Sequence, residues 1–285
     1  MTLFSKLRAL LVLGRVSNLP TVWSNCLAGW LLGGGGEWPR FAVLCGGATL
    51  LYEGGMFLND AFDAEFDAQH RRERPIPGGA ISLGSVWRLG LAMLVAGVAL
   101  LCLLGANTAV LGIMLCGSIL LYDWLHKLVT FSPVLMALCR LVLYLTAASA
   151  AVSGITGLAT WGALVLAAYI VGLSCLARNE ATGMVVQRWP QFLLALPVAL
   201  ALLVNDGDSR QQALLITAVF ALWTVRSLRS VWAEPRNVSR AVSGLLAGLM
   251  WVDLLAVADA PRQLGAVFIA LFLVALLGQR FVPAT

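Results

Sequence analysis

The chain has 285 residues, 60% hydrophobic and 12% charged, with mean hydropathy +0.88 and a formal net charge of +5. A soluble domain is about a quarter charged, so this much apolar surface excludes a single water-facing core and points to a polytopic membrane protein. The six cysteines all lie inside apolar runs without ligand spacing, which excludes a thiolate metal site and leaves them as small buried hydrophobes.

Ten apolar segments follow in order, and lipid leaves such runs no alternative to the helix. Their predicted cores are Val16–Leu32, Phe41–Leu58, Val86–Gly105, Ala109–Leu125, Val134–Val152, Leu158–Ala177, Phe192–Val204, Ala213–Leu228, Val242–Val257 and Leu264–Leu277. The seventh and tenth are short, so nine spans is the alternative count. The first run leads straight into its neighbours with no small-residue cleavage site, so no removable leader is expected.

In the first segment Arg15, Asn18 and Asn25 fall on one stripe, at i, i+3 and i+10. Such a stripe lines a cavity or bonds a neighbouring helix; Arg15 has the further option of snorkelling to the headgroups.

The second segment ends in FLNDAFDAEFDAQHRRERPIPGG, from Phe57 to Gly79. If its helix continues past Leu58, Asn59, Asp63 and Asp67 recur at i, i+4 and i+8, with Asp60 alongside. Like charges at that spacing repel, and carboxylates at a helix C-terminus meet the negative end of the dipole, each costing a few tenths to about 1 kcal/mol. A solvated end neutralised by Arg71, Arg72 and Arg74 is one account. A hard divalent cation such as Mg2+ is the better one, because it takes oxygen ligands and substrate phosphates, and the arginines suit phosphate through forked hydrogen bonds. Glu53, two turns earlier on that face, reads as a general base, a proton sink or the partner of Arg140.

Beyond the fourth segment, Lys127 stands four residues after Asp123, the spacing of a surface ion pair. Arg140 lies two turns into the fifth segment with Tyr144 one turn on, and a charge at that depth reads as a cavity residue for acceptor or diphosphate. His70 and His126 have no partner at metal spacing and read as solvated. The sixth segment ends in YIVGLSCLARNEATG, where Glu180 is the one acid and Arg178 a nearby cation. Tyr169, Gly172 and Glu180 repeat Tyr52, Gly55 and Asp63 at constant offset, as a parallel internal repeat would. Trp23, Trp30, Trp38, Trp124, Trp161, Trp189, Trp232 and Trp251 read mostly as an interfacial belt.

With both termini cytoplasmic, of the 19 Lys and Arg only Arg40, Arg210 and Arg262 face outward and Arg140 sits within a helix. That asymmetry fits ten spans in the cell's inner (plasma) membrane. It also accounts for the basic balance without nucleic acid, for which no signature is present.

NDAFDAEFD (Asn59–Asp67) resembles the NDxxDxxxD motif of the UbiA superfamily of intramembrane prenyltransferases. RPIPGGAIS (Arg74–Ser82) resembles that family's RPIPxGxIS continuation. YDWLHK (Tyr122–Lys127) resembles its YxxxK segment with one extra residue, and GRVSNLPTVWSNCLAGWLLGG (Gly14–Gly34) resembles its first helix, nearest the branch found with ebo-type operons. The likeness runs from about Arg15 to Glu180. It implies an all-α bundle of nine to ten transmembrane helices around a central cavity, one domain over residues 1–285. It implies Mg2+ held by Asn59, Asp63, Asp67 and Glu180, gripping an isoprenyl diphosphate whose prenyl group passes to an acceptor. Asp60, Asp63, Asp67, Lys127 and Arg140 are then the candidate catalytic groups. Arg15, Asn18, Asn25, Arg74, Tyr122, Tyr144 and Arg178 are the candidate substrate-binding groups. The family's second motif is DxxxD, so the single acid here is a departure. It supports a rival reading: a transporter or binding protein that keeps the fold without the chemistry.

Overall fold

The computed structural model describes residues 3–182, 189–205 and 207–284, apart from the side chains of 3–6, 179–182 and 207–209. Among the described residues every regular element is helical: α1 Leu3–Leu13, α2 Leu19–Leu32, α3 Trp38–Phe62, α4 Ala64–His70, α5 Leu83–Cys102, α6 Ala106–Leu125, α7 Ser132–Ser149, α8 Gly157–Thr182, α9 Leu196–Val204, α10 Gly207–Trp232, α11 Val238–Ala247, α12 Leu249–Ala256 and α13 Arg262–Gly278. Short 3-10 turns occupy Val16–Asn18 and Trp189–Ala195.

Among the described residues, seven helical stretches are long and apolar enough to cross a membrane: α3, α5, α6, α7, α8, α10, and α11 with α12 as one run from Val238 to Ala256. The other three predicted segments are helical but short. The first is cut to 14 residues because the chain turns at Arg15, whose φ is +45°, and then tightens into the 3-10 turn. Fourteen residues rise about 21 Å, short of a bilayer core of about 30 Å. The seventh is divided between a 3-10 turn and α9, with Pro197 opening the new helix; α13 is the third short apolar helix.

Prolines stand in the first turns of α2, α3, α7 and α9, where a missing N–H costs nothing. The helices then pack through small residues, as they must where lipid is as apolar as leucine. In α3 and α5, Gly47 meets Gly97 and Gly54 meets Gly90: a Cβ on Gly54 would lie 2.9 Å from the Gly90 carbonyl oxygen, and one on Gly97 2.9 Å from that of Gly47. Gly29 in α2 and Gly33 just after it lie against the Tyr144 and Ala148 carbonyls of α7, each 2.5 Å from where a Cβ would stand. These contacts draw the helices together, and polar side chains of α2, α3 and α7 meet. Val95, Ile113, Leu215 and Leu222 stay exposed on the outside of the bundle, the surface offered to lipid.

Trp38, Trp124, Trp161, Trp189 and Trp232 are exposed as a belt residue should be, but Trp30 is buried and packs on Trp38 and Phe41. The expectation fails there because α2 runs inside the bundle.

Candidate active site

One end of the bundle gathers the junction of α3 and α4, the loop that follows, and the α6–α7 loop. The helical hydrogen-bond ladder continues through the junction: Asp63 N–H donates to Asn59 O at 3.0 Å and Asp67 N–H to Asp63 O at 2.9 Å. Asp63, at φ −85° and ψ −4°, marks a break between two helices that share it as a cap. Asn59, Asp63 and Asp67 therefore do occupy successive turns. The segment after α4 folds back over them. Gly78 N–H closes on Arg74 O and Ala80 N–H on Pro75 O, while Ile76 and Ile81 pack on Leu13, Phe57, Ala61 and Val86. Ser82 caps α5 by accepting from Ser85 N–H.

That fold-back carries Arg74 onto the acids. Its Nη1 donates to Asp60 at 2.9 Å, and its Nε lies 4.0 Å from Asp67. Arg15 Nη2 reaches the same Asp60 oxygen at 3.4 Å, so the left-handed turn aims the guanidinium at the site. Lys127 Nζ sits 2.6 Å from Asp63 Oδ1, over the Phe66 ring. The alternative reading, an Asp123–Lys127 surface pair, does not form, because α6 ends at Leu125 and Lys127 is no longer one helical turn from Asp123. Asp123 is instead buried and accepts from Asn59 Nδ2 at 3.1 Å.

His126 is not solvated either. It stacks on Tyr122, and its Nδ1 faces the Asp123 carbonyl at 3.1 Å while its Nε2 faces Asp63 at 3.4 Å. A carbonyl and a carboxylate both accept, so these two neighbours favour the protonated ring. Burial alone would lower its pKa, and the Asp63 carboxylate raises it above the usual histidine value. Burial pushes the Asp63 carboxyl up, but hydrogen bonds from His126 and Lys127 outweigh it and hold Asp63 below the ordinary carboxylate range. Burial raises Asp67, and Arg74 offsets only part of that.

Among the described residues no three acidic, histidine or cysteine side chains close on a common point. Arg74 and Lys127 stand between the carboxylates. In kind, however, the donors fit a hard cation: Asn59, Asp63 and Asp67 offer only oxygen or amide groups, and Asp67 Oδ1 and Asp123 Oδ2 are buried without a hydrogen-bond partner. Glu180 lies outside the described side chains. Arg178 Nη1 donates to Val129 O, Thr130 O and Ser132 Oγ at 2.7 to 2.8 Å, which fastens the α6–α7 loop beside Lys127. Of the repeat, Gly55 and Gly172 both admit a neighbour closely, to Ile119 and Pro190, whereas Tyr52 sits beneath Arg140 and Tyr169 donates to Leu245 O.

A second polar cluster lies deeper. Arg140 donates to Asn25 Oδ1 at 2.7 Å and to Thr21 Oγ1 at 2.9 Å, with its guanidinium 6.0 Å from the Tyr52 ring centre. Tyr52 is eight residues before Asp60, about 12 Å along the helix. Glu53 is not Arg140's partner: it packs on Gly14, with Oε1 buried and unbonded. Asn25 Nδ2 donates to Asp253 Oδ2 at 2.7 Å, and Ser24 Oγ donates to the same oxygen. Sequence reasoning missed Asp253 and the burial of Asp123. The structure also takes Asn18 and Tyr144 away from the acids. Asn18 donates to Ala284 O at 2.9 Å; the Tyr144 hydroxyl, buried and unbonded, belongs to a small cavity beside Asp253.

Residues 18–281 match the model of the UbiA prenyltransferase family. Curated relatives include digeranylgeranylglyceryl phosphate synthases of Methanoculleus marisnigri, 32% identical over 40% of this chain and 40% of that protein, and Ignicoccus hospitalis, 37% identical over 32% of this chain and 30% of that protein. A 4-hydroxybenzoate octaprenyltransferase of Methylibium petroleiphilum is 35% identical over 28% of this chain and 27% of its own. The chain thus aligns with less than half the length of each. The apo structure of a UbiA homolog from Aeropyrum pernix K1 superposes with a TM-score of 0.67 at 17% identity, covering 84% of this chain and 97% of that one. A structure from work on digeranylgeranylglyceryl phosphate synthase in membranes gives 0.59 at 17%, covering 95% and 99%. At such identity these two speak for the fold alone.

Proposed function

The chain belongs to the UbiA prenyltransferase family, and from that premise we propose that it transfers an isoprenyl group from an isoprenyl diphosphate to an acceptor whose identity its residues do not specify. The reading takes the chain as one domain with ten helical passages and both termini in the cytoplasm, in the plasma membrane, with the acid-rich end facing inward. The observation that carries it is the interleaving of acids and cations at that end: Asp60 with Arg15 and Arg74, and Asp63 with Lys127 and His126.

Breaking an allylic C–O bond puts charge on the leaving diphosphate, and fixed cations beside it favour that transition state. Arg74 and Arg15 offer forked donors and Lys127 a point charge. The carboxylates hold these cations aimed. The family's Mg2+ would be held by Asn59, Asp63 and Asp67, with Glu180 from the second half, and would supply further charge neutralisation at the diphosphate. The apolar helices around the site keep water from the prenyl cation. Arg140, presented by Asn25 and Thr21 about 12 Å deeper, is where a polar acceptor group would find a cation.

The test is diphosphate release from geranylgeranyl diphosphate by the protein in nanodiscs, with lipid extracts as acceptor. Native protein should release it in a Mg2+-dependent manner, and Asp63→Ala should lose about two orders of magnitude or more while staying folded. An Asp63→Ala protein of near-native rate would overturn the site. Binding or movement of the isoprenoid without diphosphate release would favour the transporter reading, which the single acid of the second motif supports.

A further inference from the structure

Two buried aspartates in this bundle do the same thing to two asparagines. In the deep cluster Asp253 takes the Asn25 Nδ2 hydrogen at 2.7 Å, so the amide's other end, Oδ1, must point away, and there it accepts from Arg140 at 2.7 Å. The cation is in plain view. At the cytoplasmic end Asp123 takes the Asn59 Nδ2 hydrogen at 3.1 Å. A carboxylate has no hydrogen to give, so it accepts only the NH2 end of a primary amide. Asn59 Oδ1 is thereby turned away from Asp123, and it accepts no hydrogen bond among the described residues. Asp123 is only 2% exposed, and its Oδ2 is buried with no partner.

We propose that Asp123 is a positioning residue: it fixes the Asn59 amide with its carbonyl oxygen outward as a metal ligand, as Asp253 fixes Asn25 toward Arg140. The inference rests on the metal–diphosphate reading above. It explains why an acid is buried where the helix pattern calls for a surface pair. It also explains the asparagine: an aspartate at 59 would set a second carboxyl against Asp123, and like charges at that distance disfavour ionising both. The unbonded Asp123 Oδ2 is left to accept from a water that the ion keeps, since Mg2+ rarely sheds all of its water. Partners of this kind typically change metal affinity by 10- to 100-fold, so about that loss is expected when one is removed.

The test is a titration with Mn2+ followed by electron paramagnetic resonance, on the full-length protein in detergent with inorganic pyrophosphate and no prenyl substrate. Asp123→Asn lets the amide turn either way and should weaken Mn2+ binding by about 10- to 100-fold. Asn59→Ala should weaken it too, and Asn59→Ala with Asp123→Asn should be no weaker than Asn59→Ala alone, because the two act as one unit. Asn59→Asp with Asp123→Asn restores an oxygen at both ends of residue 59 and should recover binding. Native-like Mn2+ affinity in Asp123→Asn, with Asn59→Ala and Asp63→Ala impaired, would overturn the positioning role alone. Native-like affinity in Asp63→Ala would remove the metal site, and this inference with it. If Asp123→Asn misfolds, the paired variant decides: no recovery there means that Asp123 is merely structural.

Discussion

At the scale of single residues, the acids that matter divide by how their surroundings were encoded. Asn59, Asp63 and Asp67 were legible because they recur at helical spacing and the ladder does continue through Asp63. Asp123 was missed, and the surface pair its spacing offered Lys127 does not form because the i+4 rule holds only inside a helix and α6 stops two residues short of Lys127. Asp253 had a signal, a lone acid in an apolar span, which is costly enough to need a partner. The partners, Ser24 and Asn25, lie 228 or more residues away in sequence and no local pattern reveals them. Asp253→Ala should therefore cost about 3 kcal/mol, since it strips the acceptor from Ser24 and Asn25 and releases the oxygen that holds Arg140. The check is thermal unfolding in detergent beside Asp259→Ala, at a residue in the turn before α13, which should be near neutral. Arg74→Lys is a sharper test of the acid-rich end. Lysine keeps the charge but cannot place one fork between Asp60 and Asp67. The KM for the isoprenyl diphosphate should rise about tenfold, the equivalent of one charge-assisted hydrogen bond, and an unchanged KM would mean that the fork is not used on substrate.

At the scale of helices, the apolar runs in the sequence located the long helices but not α1 or the short α4, since lipid allows those runs little else. Their lengths were less legible. A 3-10 turn at Val16–Asn18 and a proline-led restart at Pro197 shorten two segments, and neither leaves a strong mark on hydropathy. Pairing was not legible at all, because glycine spacing says that something comes close without saying what. The structure supplies the answer in α3 and α5, where Gly47–Gly97 and Gly54–Gly90 put backbone on backbone. Gly54→Ala pushes a methyl to 2.9 Å from the Gly90 carbonyl oxygen, which cannot rotate away. It should cost about 1–3 kcal/mol by overpacking. Since α3 ends in the acid turns, activity should fall with it. Gly117→Ala in α6, with nothing within 4 Å of the new carbon, should be neutral or slightly stabilising. Equal melting temperatures for the two variants would show that the α3–α5 approach has slack.

At the scale of the whole molecule, the proposed chemistry depends on which end of the bundle faces the cytoplasm. The contacts among described residues fix a relation that charge counting only suggested. The Arg71–Ser82 segment, the α6–α7 loop and Arg178 lie together, since Arg74 bonds Asp60, Lys127 and His126 meet Asp63, and Arg178 holds Val129 to Ser132. The opposite end carries the Gly33–Gly36 turn, joined to Val152 and Ser153 by backbone hydrogen bonds. The first end is rich in arginine and lysine and the second is poor in them. The proposed orientation follows the positive-inside rule, with the first end inward, and the proposed isoprenyl diphosphate would then reach it from that side. Single cysteines in a cysteine-free background test this. Ala80→Cys and Leu128→Cys should react with an impermeant maleimide only in inside-out vesicles, and Val152→Cys, at a position 80% exposed, only in right-side-out ones. Because three positions from two ends are read together, a simple inversion would exchange all the labels and move the chemistry outside. Labelling of Ala80→Cys and Leu128→Cys from opposite sides would break the single site itself, whatever the orientation.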